Sequence, residues 1–179
     1  MYELFVLGEL MDSPLHGYLL RDIVNLAIGP VRQMSWSALY PLMHGLEEEG
    51  YVELMPDEGA TSGRPRKVYR ITESGKAEFF RLLLKPEEYT PDYPDIFNIK
   101  LVNFDQINSQ QQLDILRHYR GYVQYILDHH TKSQQMIVQR SEIPDQERAY
   151  IQQVITHRIA IAKADAAWVD DTIVRLLKN

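Results

Sequence analysis

Ser35-Trp36-Ser37-Ala38-Leu39-Tyr40-Pro41-Leu42-Met43-His44-Gly45-Leu46-Glu47-Glu48-Glu49-Gly50 carries the most informative hydrophobic pattern in the first half of the chain. Leu39, Leu42, Met43 and Leu46 fall at i, i+3, i+4 and i+7, the spacing of one buried face on an α-helix. Ser35 or Ser37 offers a hydroxyl to cap the free N–H groups at its start. Pro41 comes early, and proline is tolerated in a first turn because no i−4 carbonyl loses its donor there. Three glutamates and Gly50 close the segment. One amphipathic helix is predicted, with Ser35, Ser37 and Tyr40 on its first exposed turn.

Upstream, residues 3–11 place Leu4, Leu7, Leu10 and Met11 on a helical stripe, and Asp12-Ser13-Pro14 breaks it. Residues 16–28 form a second predicted helix, burying Leu19, Leu20, Ile23, Val24, Leu26 and Ala27 and stopped by Gly29-Pro30. Downstream, residues 51–55 and 67–72 read as short strands, the second alternating polar with apolar. The intervening 56–65 is a long loop rich in Gly, Pro, Asp, Ser and Thr. Thr72 is placed to cap a fourth helix over 73–84. The order helix, helix, helix, strand, loop, strand, helix is that of a winged helix-turn-helix. Its third helix would enter the DNA major groove and its wing would touch backbone or minor groove.

Three prolines between 86 and 94 mark the expected linker, dividing a domain of residues 1–85 from a helical one of 95–179. The second begins with a short helix over 96–104. Ser109 with Gln112 makes a capping-box pattern for a long helix to about 140, and Pro144 opens the last helix, to about 177. Ile155, Ile159, Ala162, Ala166, Val169, Ile173 and Leu176 are spaced 4, 3, 4, 3, 4, 3 along it. Such a/d spacing is that of a coiled-coil-like seam. Leu116, Tyr119, Val123, Ile126, His130, Ser133 and Ile137 repeat it less cleanly on the preceding helix. The expected use of the seam on the last helix is dimerisation, since a two-helix hairpin alone has little core; packing of the pair within one subunit is the alternative. The expected fold is mainly α with a small β-hairpin, a winged helix-turn-helix followed by a C-terminal α-helical dimerisation domain.

Composition narrows the function. The chain has 179 residues and no cysteine, which removes disulfides, thiolate nucleophiles and thiolate metal sites. No apolar run is long enough to span a bilayer, and the first residues lack the basic region of a secretory leader; a cytoplasmic protein without membrane contact is expected. No phosphate loop, dinucleotide fingerprint or nucleophile elbow is present, so neither an enzyme nor a cofactor is expected. His118, His129, His130 and His157 do not make a zinc motif, and no metal is expected. His130 on the apolar seam reads instead as a register-setting polar residue. The net charge of −6 disfavours binding DNA by charge alone. What matters is the field within a Debye length of about 8 to 10 Å, and between Arg64 and Arg81 the chain is cationic: Arg64, Arg66, Lys67, Arg70, Lys76 and Arg81 against Glu73 and Glu78.

The stretch 35–52 resembles the recognition-helix signature of the PadR family of transcriptional regulators. Arg66-Lys67-Val68-Tyr69-Arg70-Ile71-Thr72-Glu73-Ser74-Gly75-Lys76 resembles the segment that closes the family's wing, and His16-Gly17-Tyr18 also fits. Asp95-Ile96-Phe97-Asn98-Ile99-Lys100-Leu101 is similar to the start of the family's longer C-terminal domain. The resemblance implies a homodimer on a palindromic operator in double-stranded DNA. It also implies a repressor whose grip a small molecule, phenolic or aromatic, releases. Tyr18, Ser35, Ser37, Tyr40, Arg64, Arg66 and Lys67 are the candidate DNA contacts, the hydroxyls for phosphates or base edges and the cations for backbone or a narrow minor groove. The tyrosines also suit a core, and Arg66 and Lys67 a solvated strand. Trp36 is read as structural. Ala38 departs from the polar residue often found there in the family, so shape and dimer spacing carry more of the expected specificity. Tyr93, Phe97, Tyr119, Tyr122 and Trp168 are candidate effector-pocket residues that equally suit a core. The alternative function is a winged helix used for protein interaction without DNA.

Overall fold

The computed structural model describes residues 1–28, 33–55 and 67–178. They divide into two compact units, Met1–Gln106 and Ile107–Asn179.

The first unit opens with α1 (Tyr2–Asp12), which buries Leu4, Phe5, Val6, Leu7 and Leu10. Pro14 ends that run, and Leu15–His16 forms β1, too short to be visible as a period-two pattern. It exists because β3 (Val68–Ile71) accepts it: Leu15 pairs with Tyr69 and His16 with Val68. β2 (Val52–Met55) lies on the other side of β3, in the antiparallel order β1-β3-β2. The sheet therefore has three strands where the sequence predicted two.

Between β1 and β2 run α2 (Gly17–Ile28) and α3 (Trp36–Glu48). Leu20 and Val24 face the core, but Leu26, expected on that side, is 85% exposed. At 100° per residue it points about 160° away from Val24. The Gly29-Pro30 stop lies outside the described residues.

α4 (Glu73–Leu84) starts as expected, Thr72 Oγ1 accepting from Gly75 N. Gly50, at φ +75°, turns the chain out of α3, and its carbonyl accepts from Thr72 Oγ1 at 2.6 Å and Ser74 Oγ at 2.8 Å. This knot places the end of α3, the start of β2 and the start of α4 together. A Cβ on Gly75 would lie 2.0 Å from the Tyr51 carbonyl oxygen, so only glycine allows the approach.

α5 spans Tyr93–Val102, starting three residues before its predicted position because Pro94 serves as a first-turn proline. It packs on α2, followed by a 3-10 turn at Phe104–Gln106. Buried Lys100 donates to the Lys85 carbonyl at 2.5 Å and lies 3.6 Å from Glu87. Burial draws its pKa below the usual amine range, against the opposing pull of Glu87. Residues 86–94 are thus tied into the first unit, and the division falls twelve residues later than their end, after Gln106, rather than at 86–94.

In the second unit, α6 (Ser109–Val138) and α7 (Asp145–Leu176) pack along their length as a hairpin. The capping box is Asn108 with Gln111, one residue ahead of the predicted Ser109 and Gln112. Pro144 stands at the α7 N-cap. Ile155, Ala162, Ala166 and Val169 are buried, and Ile159, Ile173 and Leu176 half-buried, within this one chain. Facing residues on α6 include buried Leu116, Tyr119, Val123 and Ile137. The seam whose expected use was dimerisation is taken up by α6 of the same chain. His130 is half-buried on it, its imidazole pKa lowered by desolvation, then by His129 and Arg158.

Candidate nucleic-acid interface

α3 is anchored by one face and presents the other. Leu39, Met43 and Leu46 are buried; Ser37, Ala38, Tyr40, Pro41 and His44 are exposed. Residues 36–43 carry no charge, whereas 47–49 are all glutamate. With the helix dipole positive at its N-terminus, the end bearing the hydroxyls is the one suited to a phosphate-lined groove. Pro41 is the sixth residue of the helix, a turn deeper than the predicted first-turn position, and cannot donate to the Ser37 carbonyl.

Ser35 holds the N-cap position but makes no side-chain cap bond; its hydroxyl meets that of Ser37 at 2.7 Å. The helix start is instead held from α2. Asn25 Oδ1 accepts from Met34 N at 2.6 Å, and its Nδ2 donates to Met34 O at 3.4 Å. The Arg21 guanidinium lies 4.2 Å over the Trp36 ring, which stacks with Tyr40 at 5.5 Å. Tyr18, 43% exposed, stacks with His16 at 5.5 Å. Tyr18, Ser35, Ser37 and Tyr40 are therefore all exposed in the first unit, on α2 and at the start of α3. Sequence reasoning missed Arg21 and Asn25. An arginine and an asparagine in an amphipathic helix give no periodic signal, and their partners come from the next helix.

The cationic stretch is less free than its composition suggested. Arg70 pairs with cross-strand Glu53, Nε to Oε1 at 2.8 Å. Lys76 pairs with Glu73 at 2.7 Å and Arg81 with Glu78 at 2.5 Å. The Arg81 hydrogen bond holds the Glu78 carboxyl below its ordinary range. Lys67 is exposed, and among the described residues no carboxylate pairs with it. Arg64 and Arg66 lie outside the described residues.

The five effector candidates fall in different units. Tyr93 and Phe97 are core residues of the first, each 2% exposed. In the second, buried Tyr119 donates to Asp165 Oδ2 at 2.6 Å and stacks with Tyr122 at 5.8 Å, while Trp168 is exposed. An open groove in that unit, lined by Pro144, Gln146, Glu147, Tyr150, Ile151 and Val154, includes none of the five. No described helix is long and apolar enough to cross a membrane.

Residues 6–81, which hold the sheet, α2, α3 and most of α1 and α4, match the Transcriptional regulator PadR-like family. The Negative transcriptional regulator PadR of Bacillus subtilis is 24% identical over 112 residues, covering 63% of this chain and 61% of that protein, so the match spans about three-fifths of the relative's length. The crystal structure of Bacillus subtilis PadR with operator DNA is similar at 18% identity and a TM-score of 0.44, covering 97% of this chain and 98% of that one. The structure of the same protein with p-coumaric acid is similar at 20% identity and a TM-score of 0.42, covering 97% of each chain. Over residues 6–81, this chain is similar to the PadR-like family of transcriptional regulators.

Proposed function

We propose that the protein is a cytoplasmic, homodimeric repressor that binds a palindromic operator in double-stranded DNA and is released by a small aromatic ligand. The observation that carries the DNA reading is the uncharged, hydroxyl-bearing start of α3, fixed on α2 by the Asn25 clasp and exposed in the segment that matches the family. Ser35, Ser37, Tyr40 and Tyr18 are its proposed phosphate and base-edge contacts, and Arg64, Arg66 and Lys67 its wing cations. A dimer would set two α3 helices about 34 Å apart, one turn of DNA, and an effector that changed that spacing would weaken binding. Of the five effector candidates, Tyr119, Tyr122 and Trp168 share the second unit and are the proposed ligand contacts there, whereas Tyr93 and Phe97 are spent in the core of the first. With the α7 seam already covered by α6, the dimer surface is proposed on the outer face of α7, where Val154, Ile161 and Trp168 recur every seven residues and are 59%, 53% and 41% exposed.

Selection of fragments bound by the purified protein from its own genome tests this. A recurrent inverted repeat supports the reading, and p-coumaric acid is the first probe for release. Failure to enrich any sequence would favour a protein-interaction role for the same winged helix.

A further inference from the structure

We infer that Arg21 is a positioning residue for DNA recognition, holding Tyr40 through Trp36 rather than contacting DNA itself; the inference rests on the DNA reading of α3. Trp36 on α3 contacts both Arg21 of α2 and Tyr40 one turn further along α3. The Arg21 guanidinium sits 4.2 Å from the Trp36 ring centroid, and the Tyr40 ring centroid lies 5.5 Å from that of Trp36, 24° from parallel. Tyr40 is 53% exposed while Trp36 is half-buried, so the indole is the fixed member and the phenol the presented one.

Arg21 is not free to act as a phosphate hook. Its Nε and Nη2 donate to Asp22 Oδ1 at 3.1 and 2.7 Å. An aspartate beside the guanidinium opposes an incoming phosphate by like charge, but leaves the cation over the indole face, where the ring quadrupole attracts it. A tyrosine on an exposed turn otherwise loses rotamer freedom when it docks. Holding its ring beforehand, on an indole that α2 itself fixes, removes part of that loss. The stack thereby links the orientation of one presented hydroxyl to the seating of α3 on α2.

The test is a double-mutant cycle on operator affinity with Arg21→Gln, Tyr40→Phe and the pair, each measured across a salt series. Arg21→Gln alone is expected to weaken binding about two- to fivefold, the scale of a partly exposed cation–π contact. In the Tyr40→Phe background the same change is expected to cost less than about twofold, and the slope of log affinity against log salt stays at the wild-type value. Additive losses would overturn the inference. So would a slope reduced by about one, the mark of a direct phosphate contact. Wild-type protein that prefers no sequence would sink the DNA reading and this inference with it; selective wild-type binding with an additive cycle sinks the inference alone.

Discussion

Asn25 on α2 and Met34 just before α3 exchange two hydrogen bonds, the side chain accepting from the backbone N–H at 2.6 Å and donating to its carbonyl at 3.4 Å. Met34 is 3% exposed, so its backbone groups have little water to turn to. Asn25→Ala leaves them unpartnered by that side chain, and a loss of about 1 to 3 kcal/mol is expected in urea unfolding. Because the clasp sets the start of α3, operator affinity should fall even where the variant is fully folded. A folded variant with wild-type affinity would show that the clasp does not position α3.

Two glycines should respond in opposite directions. Gly75→Ala drives a methyl toward the Tyr51 carbonyl, which the Thr72 amide holds at 3.0 Å, and should destabilise by about 1 to 3 kcal/mol or more. Gly45 lies within α3 with nothing within 4 Å of an added Cβ, so Gly45→Ala should stabilise by about 0.5 to 1 kcal/mol. Thermal unfolding of the pair checks both signs.

Arg81 is the cation among Glu3, Glu49 and Glu78 around Tyr51. Its hydrogen bond lowers the Glu78 pKa, so the stability contributed by Glu78 is complete above the unfolded value of 4.5 and is lost as pH falls through the folded one. Burial, then Glu78 and Glu49, raise the Glu3 pKa, so that group favours the folded state as pH falls and burdens it once ionised. In Arg81→Gln the Glu78 carboxyl loses its counter-charge, and Glu3 keeps only that of the Met1 amino group. The deficit in melting temperature should be widest near neutral pH and should narrow below about pH 4.5. A deficit independent of pH would mean that Arg81 acts through the packing of its stem.

Sequence periodicity was most informative where an element makes its own signal. The bounds of α4 and its Thr72 cap follow from local chemistry, and the structure reproduces them. β1 carries no such signal, because two residues become a strand only when β3 lies beside them. The α7 stripe was legible as a seam, but a heptad repeat does not say which chain supplies its partner. At the interface, the exposed hydroxyls Ser35, Ser37 and Tyr40 could be found from helix phase. Their supports could not: Arg21 and Asn25 act on residues 15 and 9 positions away, outside their own helix. The pairing of Arg70, Lys76 and Arg81 was likewise invisible to a charge count, which treats a cation and its neighbouring carboxylate as independent.

Glutamate placed on the outer face of α7 should separate the subunits of the proposed dimer. Val154→Glu with Trp168→Glu changes residues 59% and 41% exposed in the single chain and leaves the buried Ile155, Ala162, Ala166 and Val169 of the seam in place. Sedimentation should move to the monomer mass with helical content retained. An unchanged dimer would place the interface elsewhere.

The most direct test of the account is fluorescence anisotropy of the protein on its selected operator and on a scrambled control, at several salt concentrations, for wild type and for Ser37→Ala with Tyr40→Phe. Selective binding that weakens steeply with salt is expected, with the double variant losing preference for the operator while its nonspecific binding to the scrambled DNA persists. Equal binding to both DNAs by the wild type, or an unchanged preference in the variant, would contradict the assignment of α3 as the element that reads DNA.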